Sequence, residues 1–145
     1  MFHGCPSLSD IKELENWDVS NGINFLEMFR DCSSLSDIRA LQNWNVSNGV
    51  FFEKMFYGCK SLSDIRALQN WNVSNGKSFG AMFYACSSSL NTTPLKKWNM
   101  SNQKYLELTS KPVDIAIAKY YYKPNDYDIP KNFSFKKQVQ LDEYL

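Results

Sequence analysis

Apolar residues along this chain alternate between two kinds of spacing. In the third quarter of the chain they first lie three apart, at Leu62, Ile65, Leu68 and Trp71. Three-residue spacing fits neither a flat strand nor a long α-helix, so it indicates a chain that turns corners between short extended pieces. The apolar–polar–apolar step from Trp71 to Val73 then predicts a short strand.

The spacing changes after a turn signal, Ser-Asn-Gly, at 74–76. Phe79, Met82, Phe83 and Cys86 fall at i, i+3, i+4 and i+7, which is one apolar face of about two helical turns. An isolated helix of this length is not stable in water. We therefore predict a short helix that is held by burial against the strand of its own unit and against neighbouring copies of the same pattern.

Both patterns belong to a unit of 27 residues that recurs without insertion or deletion as far as Asn102. A fixed period of about 20 to 50 residues indicates a solenoid or array. The predicted fold class is therefore an α/β repeat, a solenoid of strand–turn–short helix coils. Its markers are Cys5, Cys32, Cys59 and Cys86; Trp17, Trp44, Trp71 and Trp98; and Met-Phe pairs beginning at Met1, Met28, Met55 and Met82.

Equivalent residues of successive coils should stack in columns about 5 Å apart, which is one strand spacing. Asparagine has both a donor and an acceptor, so a stacked column of asparagines can satisfy turn backbone groups in coil after coil. We expect two such columns: Asn21, Asn48, Asn75 and Asn102; and Asn16, Asn43 and Asn70.

The repeat divides the chain into a solenoid of four units over residues 1–110 and a capping segment over residues 111–145. The first unit begins at its middle, since Met1 stands at the position of Met28. The chain is therefore either a fragment of a longer protein or a solenoid whose first coil is open. The fourth unit is degenerate, with SLNTTP at 89–94, as expected of a terminal repeat beside a cap.

The capping segment carries no repeat, and its first part fits two conformations. Val113, Ile117, Tyr120 and Tyr121 would share one helix face, whereas the alternation of apolar residues over 113–118 would suit a strand. We favour the helix, because two alanines and a proline in the first turn suit it. Its predicted role is to cover the open apolar end of the last coil.

Composition limits the classes of function. The 145 residues are 43% hydrophobic and 15% aromatic, which suffices for a buried core. The formal charge is +1, from 16 basic and 15 acidic residues, so no global field attracts nucleic acid or an anionic membrane. No apolar run approaches the roughly 20 residues of a spanning helix, and the first residues, MFHGCP, lack the pattern of a signal peptide.

The repeat resembles the BspA-type leucine-rich repeat family, also described as the DUF285 repeat of mycoplasma surface proteins. The matching motifs are MFRDCSSL at 28–35 and NWDVSN at 16–21, and the resemblance extends over roughly residues 1 to 102. This unit of 27 residues is slightly longer than the family's usual one. It also has glycine, at Gly22, Gly49 and Gly76, where the family often has valine.

The resemblance implies a leucine-rich-repeat-like solenoid from a group found on bacterial surfaces, in protists and in large DNA viruses. It further implies an adhesive or protein-binding role and a cell-surface or secreted location. The sequence leaves the location open, because the first residues show no signal peptide and free thiols are compatible with the cell interior.

The candidate site is a ladder of charged residues that recurs in three units. An acidic residue precedes the buried isoleucine of each unit, and a basic residue follows it, so both should point to solvent. The structural alternative is a solvated face of ion pairs, and the functional alternative is a mixed-charge surface for a protein partner. The ladder consists of Asp10, Lys12, Asp37, Arg39, Asp64 and Arg66.

The four cysteines are better explained as core residues than as chemistry. A column of thiols does not supply the tetrahedron that zinc needs, although adjacent coils are close enough for a disulfide. Cys32, Cys59 and Cys86 lie on the apolar face, so we expect buried free thiols. We predict no metal and no cofactor.

Two further features have ordinary structural explanations. Three of the five Asn-x-Ser/Thr sites belong to the repeat and are expected to be turn chemistry. The cluster Tyr120-Tyr121-Tyr122 with Lys119 and Lys123 can stack on bases, but we expect it to pack within the cap instead. The five sites begin at Asn45, Asn72, Asn91, Asn99 and Asn132.

Three functions fit the sequence. The first is a non-enzymatic protein-binding or adhesion module that uses the ladder, or the variable positions Arg30-Asp31, Glu53-Lys54 and Tyr57. The second is a structural solenoid that stacks end to end, by self-association through the open first coil, or packs within a larger assembly. The third is a thiol enzyme. The sequence argues against it, because no repeated histidine or acid accompanies the cysteines to activate a thiol.

Overall fold

The computed structural model describes residues 1–111. The predicted capping segment 111–145, with the tyrosine cluster and the last Asn-x-Ser site, lies outside the described residues apart from Lys111. The four repeat units are called units 1 to 4 below. They comprise residues 1–27, 28–54, 55–81 and 82–108.

One 3₁₀ helix forms in each unit, where the apolar residues are three apart. A 3₁₀ helix has 3.0 residues per turn, so a spacing of three places successive apolar side chains on one inward face. The three-residue spacing in the sequence predicted that the chain turns a corner here, and the structure shows that it does so in a 3₁₀ conformation. These helices are η1 (Lys12–Asn16), η2 (Arg39–Leu41), η3 (Arg66–Leu68) and η4 (Thr93–Trp98). A single α-helix among residues 1–111, α1 (Asn102–Glu107), follows η4.

The prediction of a two-turn helix from Phe79 to Cys86 is wrong, since this segment forms consecutive turns. Ala81 and Ala85 have φ of 53° and 60°, in the left-handed region that ends an α-helix. The same left-handed conformation recurs at the equivalent residues Glu27, Asp31, Lys54 and Gly58. We call these stretches the turn segments; they are residues 25–32, 52–59 and 79–86.

The turn segments are not helical because their backbone N–H groups have two kinds of acceptor. In the first two turn segments every second N–H donates to a carbonyl of the next unit, and most of the N–H groups between them donate to the carbonyl three residues back. An α-helix would need all of them for itself. In the first segment the donors to the next unit are Phe25, Glu27, Phe29 and Asp31, and the acceptors are the carbonyls of Phe51, Glu53, Met55 and Tyr57 at 2.8, 3.0, 2.8 and 2.7 Å.

The predicted strand from Trp71 to Val73 is also wrong. Residues 71–73 lie between two turns, since the Trp71 N–H donates to the Leu68 carbonyl and the Gly76 N–H donates to the Val73 carbonyl. Within residues 1–111, parallel bridges join neighbouring units only beside the turn segments. They pair Asn24 with Phe51, and Phe51 with Ser78.

Aromatic columns fill the interior between the two sides of each unit. Rings of equivalent phenylalanines are stacked, with centroids 5.2 to 5.5 Å apart and interplanar angles of 10° or less. The predicted inward positions are correct even where the predicted helix is not, since all four apolar positions of the first turn segment are buried. The columns are Phe2, Phe29, Phe56 and Phe83, and Phe25, Phe52 and Phe79.

Side chains that donate hydrogen bonds connect each unit to the one before it. The indole N–H of Trp44, Trp71 and Trp98 donates to a leucine carbonyl 30 residues earlier, at 2.8, 2.9 and 2.7 Å. The amides of Asn48 and Asn75 donate to serine carbonyls 28 residues earlier, both at 2.7 Å, which confirms one predicted asparagine column at these two positions. The tryptophan and asparagine markers of the repeat therefore satisfy the backbone of the preceding unit.

The glycine that departs from the family pattern has a steric reason. A Cβ atom at Gly49 would lie 2.9 Å from the Val46 carbonyl oxygen and would clash with the ring of Phe52. The Gly49 N–H also donates to that carbonyl at 2.8 Å, so the turn is tight. A valine is therefore incompatible with the phenylalanine column at this position.

Removing one indole donor should destabilise the protein strongly. We expect Trp71→Phe to lower the free energy of unfolding by about 1–3 kcal/mol, because the buried Leu41 carbonyl loses its partner. Trp17→Phe is the matched control and should cost less than about 0.5 kcal/mol, because Trp17 is 40% exposed. Urea unfolding followed by circular dichroism measures both, and equal losses would contradict this role for the indole.

Candidate functional site

The aspartates of the ladder begin the 3₁₀ helices. The Oδ1 atoms of Asp10, Asp37 and Asp64 accept the backbone N–H two residues on, at 2.9, 3.0 and 3.1 Å. An aspartate fixed in this way closes an Asx turn and gives an orphan helical donor its partner. The sequence predicted these residues only as surface charges and did not predict their backbone role. The signal for that role was the position of each aspartate, two residues before the start of a 3₁₀ helix.

Two of the three ladder pairs are ion pairs within a unit. Arg39 binds Asp37 through Nη2 and Nε, at 2.6 Å to Oδ2 and 3.0 Å to Oδ1. Arg66 binds Asp64 in the same way, at 2.6 and 3.0 Å. These two-pronged contacts hold each guanidinium in a fixed orientation. In unit 1 the corresponding contact is the backbone bond of Lys12 to Asp10.

The ion pairs shift the pKa of both partners while leaving them in solvent. Hydrogen bonds from the Arg39 side chain, and then from its backbone N–H, lower the pKa of Asp37 from 3.8 to about 2. Arg66 lowers the pKa of Asp64 to about 2 in the same way. The arginine side chains remain 84% and 76% exposed, which confirms that the ladder points outward.

Open grooves between neighbouring units bring the predicted ladder residues onto one face. A groove of about 500 Å³ between units 2 and 3 contains Asp37, Arg39, Asp64 and Arg66 in its lining. A second groove, of about 630 Å³ between units 1 and 2, is lined by Asp10 and Lys12 and shares Asp37 and Arg39 with the first. The surface formed by these six ladder residues is thus continuous over three units, and we call it the Asp–Arg face, although unit 1 has Lys12 in place of arginine. Its remaining polar lining includes Gln42, Asn43, Gln69 and Asn70.

A second charged cluster lies on the turn segments, where the sequence showed variable positions. Arg30 binds Glu27 at 2.7 Å, contacts Asp31 at 3.4 Å and stands 4.8 Å from the centre of the Tyr57 ring. Lys54 reaches Glu27 at 3.9 Å. The contacts of Arg30 with Tyr57 and of Lys54 with Glu27 join neighbouring turn segments, and the sequence could not show them because they depend on the turn conformation.

The cysteines of units 2 to 4 are structural donors. The thiols of Cys32, Cys59 and Cys86 donate to phenylalanine carbonyls of the preceding unit at 3.1, 3.1 and 3.2 Å. Burial raises the pKa of all three thiols, that of Cys86 to about 12. The expectation of buried thiols is confirmed for Cys32 and Cys59, whereas Cys86 is partly buried and Cys5 is exposed.

The Asn-x-Ser/Thr sites of the described residues behave largely as turn chemistry. The side-chain oxygens of Asn45, Asn72 and Asn91 accept the backbone N–H two residues on, at 3.1, 3.1 and 3.0 Å. Asn99 ends η4 in the left-handed conformation, with φ of 49°. Residues 1–111 contain no cluster of three metal-ligating side chains and no helix that is long and apolar enough to cross a membrane.

Thiol reactivity distinguishes the structural role of the cysteines from a catalytic one. In native protein at pH 7.5 we expect iodoacetamide to alkylate Cys5 readily, because it is exposed. Cys32, Cys59 and Cys86 should react only on unfolding, since their raised pKa values leave almost no thiolate. Mass spectrometry of peptides after timed quenching measures each rate, and rapid native alkylation at Cys59 would contradict this assignment.

Substitution of a ladder aspartate separates its backbone role from its charge. Asp64→Ala removes both contacts and should cost about 1 kcal/mol, as does loss of a helix cap. Asp64→Asn keeps an oxygen for the Arg66 N–H and should cost less. Urea titrations at neutral pH compare the free energies of unfolding of the two variants. An equal loss would mean that only the charge of Asp64 stabilises the protein and that its backbone hydrogen bond contributes nothing.

The ion pair also has a predicted pH dependence. Because folding lowers the Asp64 pKa from 3.8 to about 2, its stabilisation is complete above about pH 4 and is lost as the pH falls through about 2. The stability difference between wild type and Asp64→Asn should therefore shrink on acidification. Urea titrations at pH 6 and pH 2 measure this difference, and a gap that stays constant would contradict the assigned shift.

Comparison with known proteins identifies the family of the repeat. The family model described as "Mycoplasma protein of unknown function, DUF285" matches residues 1–111. Neither a curated protein nor a solved structure matches the chain. Since the family model covers well over half of the 145 residues, the chain belongs to the DUF285 family.

Proposed function

We propose that this chain is a non-enzymatic protein-binding module, a leucine-rich-repeat-like solenoid of the BspA type that binds a partner through its Asp–Arg face. The observation that carries the proposal is the continuity of this face over three units. Asp37 and Arg39 line both grooves, so a partner lying across the units meets the same charge pattern at each step.

The geometry of the face favours recognition of a protein surface. The charge pattern of the face recurs once in each unit, and the stacked phenylalanine rings of successive units are 5.2 to 5.5 Å apart in the interior. A partner with acidic and basic side chains at a similar step would meet complementary charges. Charge complementarity of this kind contributes specificity and association rate more than affinity.

Preorganisation supports the same function. Asp37 is fixed by the backbone N–H of Arg39, and the Arg39 guanidinium is fixed by Asp37. Side chains that are already ordered lose less conformational entropy when a partner binds. The outer edge of each guanidinium, at Nη1, remains available for a carboxylate, because the internal pair uses Nε and Nη2.

The state of the thiols supports a non-enzymatic role. Cys32, Cys59 and Cys86 each donate to a carbonyl of the preceding unit, and burial disfavours their thiolates. A catalytic thiol needs the opposite environment, with a lowered pKa and a base beside it. The grooves of the Asp–Arg face are open and polar, which suits a macromolecular surface better than an enclosed small substrate.

A charge-swapped variant tests the proposed face while keeping the aspartates that close the corners. In R39E/R66E, Asp37 and Asp64 still accept the backbone N–H groups of residues 39 and 66, and only the charge of the two arginine positions is reversed. We expect a protein captured by the immobilised wild-type chain, from an extract of the cells that produce it, to be lost or weakened at least tenfold with this variant.

The control reverses charges outside the face, at Lys60 and Lys77, which are both exposed. K60E/K77E should capture the same partner as the wild type. Circular dichroism melting of both variants checks that the fold is retained. If a reproducible partner bound the charge-swapped variant as tightly as the wild type, the Asp–Arg face would not be its binding surface.

A further inference from the structure

The charge on the side of the Asp–Arg face changes from unit 1 to unit 4. Each unit has one corner segment, and these segments are residues 10–16, 37–43, 64–70 and 91–97. The first has three carboxylates and one lysine, for a net charge of −2. The next two each have one aspartate and one arginine, for a net charge of 0, and the fourth has two lysines, for a net charge of +2.

Four residues account for most of this gradient. Glu13 and Glu15 are in η1, where units 2 and 3 have alanine and glutamine. Lys96 and Lys97 are in η4, where units 2 and 3 have glutamine and asparagine. All four side chains are exposed, and within residues 1–111 none of them forms an ion pair or a side-chain hydrogen bond. Their charges are therefore available to a partner.

The repeat positions of these residues adjoin the Asp–Arg face. Glu15 lines the groove between units 1 and 2. Gln69 and Asn70 stand at the positions of Lys96 and Lys97, and they line the groove between units 2 and 3. Unit 3 has a neighbouring unit on both sides, so the outward direction of these positions is a property of the repeat. The gradient and the ladder therefore lie on the same side of the molecule.

The two charged ends of the gradient act separately on a partner. The 3₁₀ helices form one row in the order η1 to η4, because each contacts the next. Three unit steps separate η1 from η4, which is roughly 15 Å at about one strand spacing per unit. The Debye length at physiological ionic strength is about 8 Å, so surface charges this far apart are largely screened from each other. The acidic and basic ends therefore do not cancel.

We propose that the partner of the Asp–Arg face is a protein segment of polarised charge that binds in one orientation, with acidic residues against Lys96 and Lys97 and basic residues against Glu13 and Glu15. This inference rests on the proposed binding function and adds the charge order of the partner. Complementary charges favour this orientation, whereas the opposite one places like charges together at both ends. Between the ends each arginine is paired with an aspartate, so the ends decide the orientation.

The same gradient disfavours a nucleic acid on this face. A nucleic acid has negative charge at every step of its backbone, so it would be attracted at η4 and repelled at η1. The four corner segments together have no net charge, which gives a polyanion no overall attraction. A protein segment can instead place acidic residues at one end and basic residues at the other.

Two synthetic peptides of equal composition test the polarity on the wild-type chain. The polarised peptide has glutamates at one end and lysines at the other, joined by a Gly-Ser linker that can span roughly 15 Å. The scrambled peptide alternates the same glutamates and lysines. Fluorescence anisotropy at low salt should give a dissociation constant at least tenfold lower for the polarised peptide, because its two ends bind as linked sites. Equal dissociation constants, or tighter binding of an oligothymidylate of the same length, would overturn the proposal.

Charge reversal at one end tests which lysines bind the acidic end of the peptide. K96E/K97E should remove the preference for the polarised peptide, because both ends of the gradient are then acidic. K60E/K77E is the matched control, since it makes the same change of charge at exposed lysines outside the face, and it should keep the preference. Circular dichroism melting checks that both variants fold, and equal loss of preference in both would overturn the proposal.

Reversal of both ends should invert the orientation of the bound peptide. In E13K/E15K/K96E/K97E the preference for the polarised peptide should return, because the gradient is restored in the opposite direction. A nitroxide on the acidic end of the peptide should broaden the amide NMR signals of residues 96 and 97 in the wild type, and those of residues 13 and 15 in this variant. Equal broadening at both ends, or an orientation that does not invert, would overturn the proposal.

Failure of this inference is distinguishable from failure of the proposed function. The peptides test the ends of the gradient, whereas R39E/R66E tests the arginines between them. If the two peptides bind equally while R39E/R66E still loses the captured protein, the binding function stands and the charge order is wrong. If R39E/R66E captures the protein as the wild type does, the Asp–Arg face is not the binding surface, and the inferred charge order is overturned with it.

Discussion

The structure depends on hydrogen bonds that run between units. Alternate N–H groups of the first two turn segments donate to the next unit, and the tryptophan, cysteine and asparagine side chains donate to the preceding one. A backbone that forms only 3₁₀ corners and turns would otherwise leave many polar groups buried and unpaired. The period of 27 residues is strict because one inserted residue would displace all of these donors from their carbonyls at once.

This constraint explains why the same residue types are used in every unit. Trp71 fills the core and also satisfies the Leu41 carbonyl, and Cys59 does the same for Phe29. A phenylalanine or an alanine would fill similar space without donating. Residues 34–49 and 61–76 are identical in sequence, whereas the turn segments differ at their outward positions. In units 2 and 3 the framework is therefore repeated, and the turn segments vary in side chains that point away from it.

The same constraint shapes the surface. Asp37 is held by a backbone N–H, so its column and the adjoining arginines form a regular Asp–Arg face as a consequence of the corners. The candidate binding surface therefore repeats along the units because each corner uses its aspartate in the same way.

The sequence by itself determined the period, the inward face and the outward direction of the ladder. Phe25, Phe29 and Cys32 were predicted to be buried and are, because burial follows from apolar spacing whatever the backbone does. Only the tertiary structure decided the backbone conformation and the role of Asp37. Spacing of i, i+3, i+4 and i+7 defines a face but does not say where the N–H groups donate, and here the neighbouring unit offered carbonyls that an α-helix could not have used.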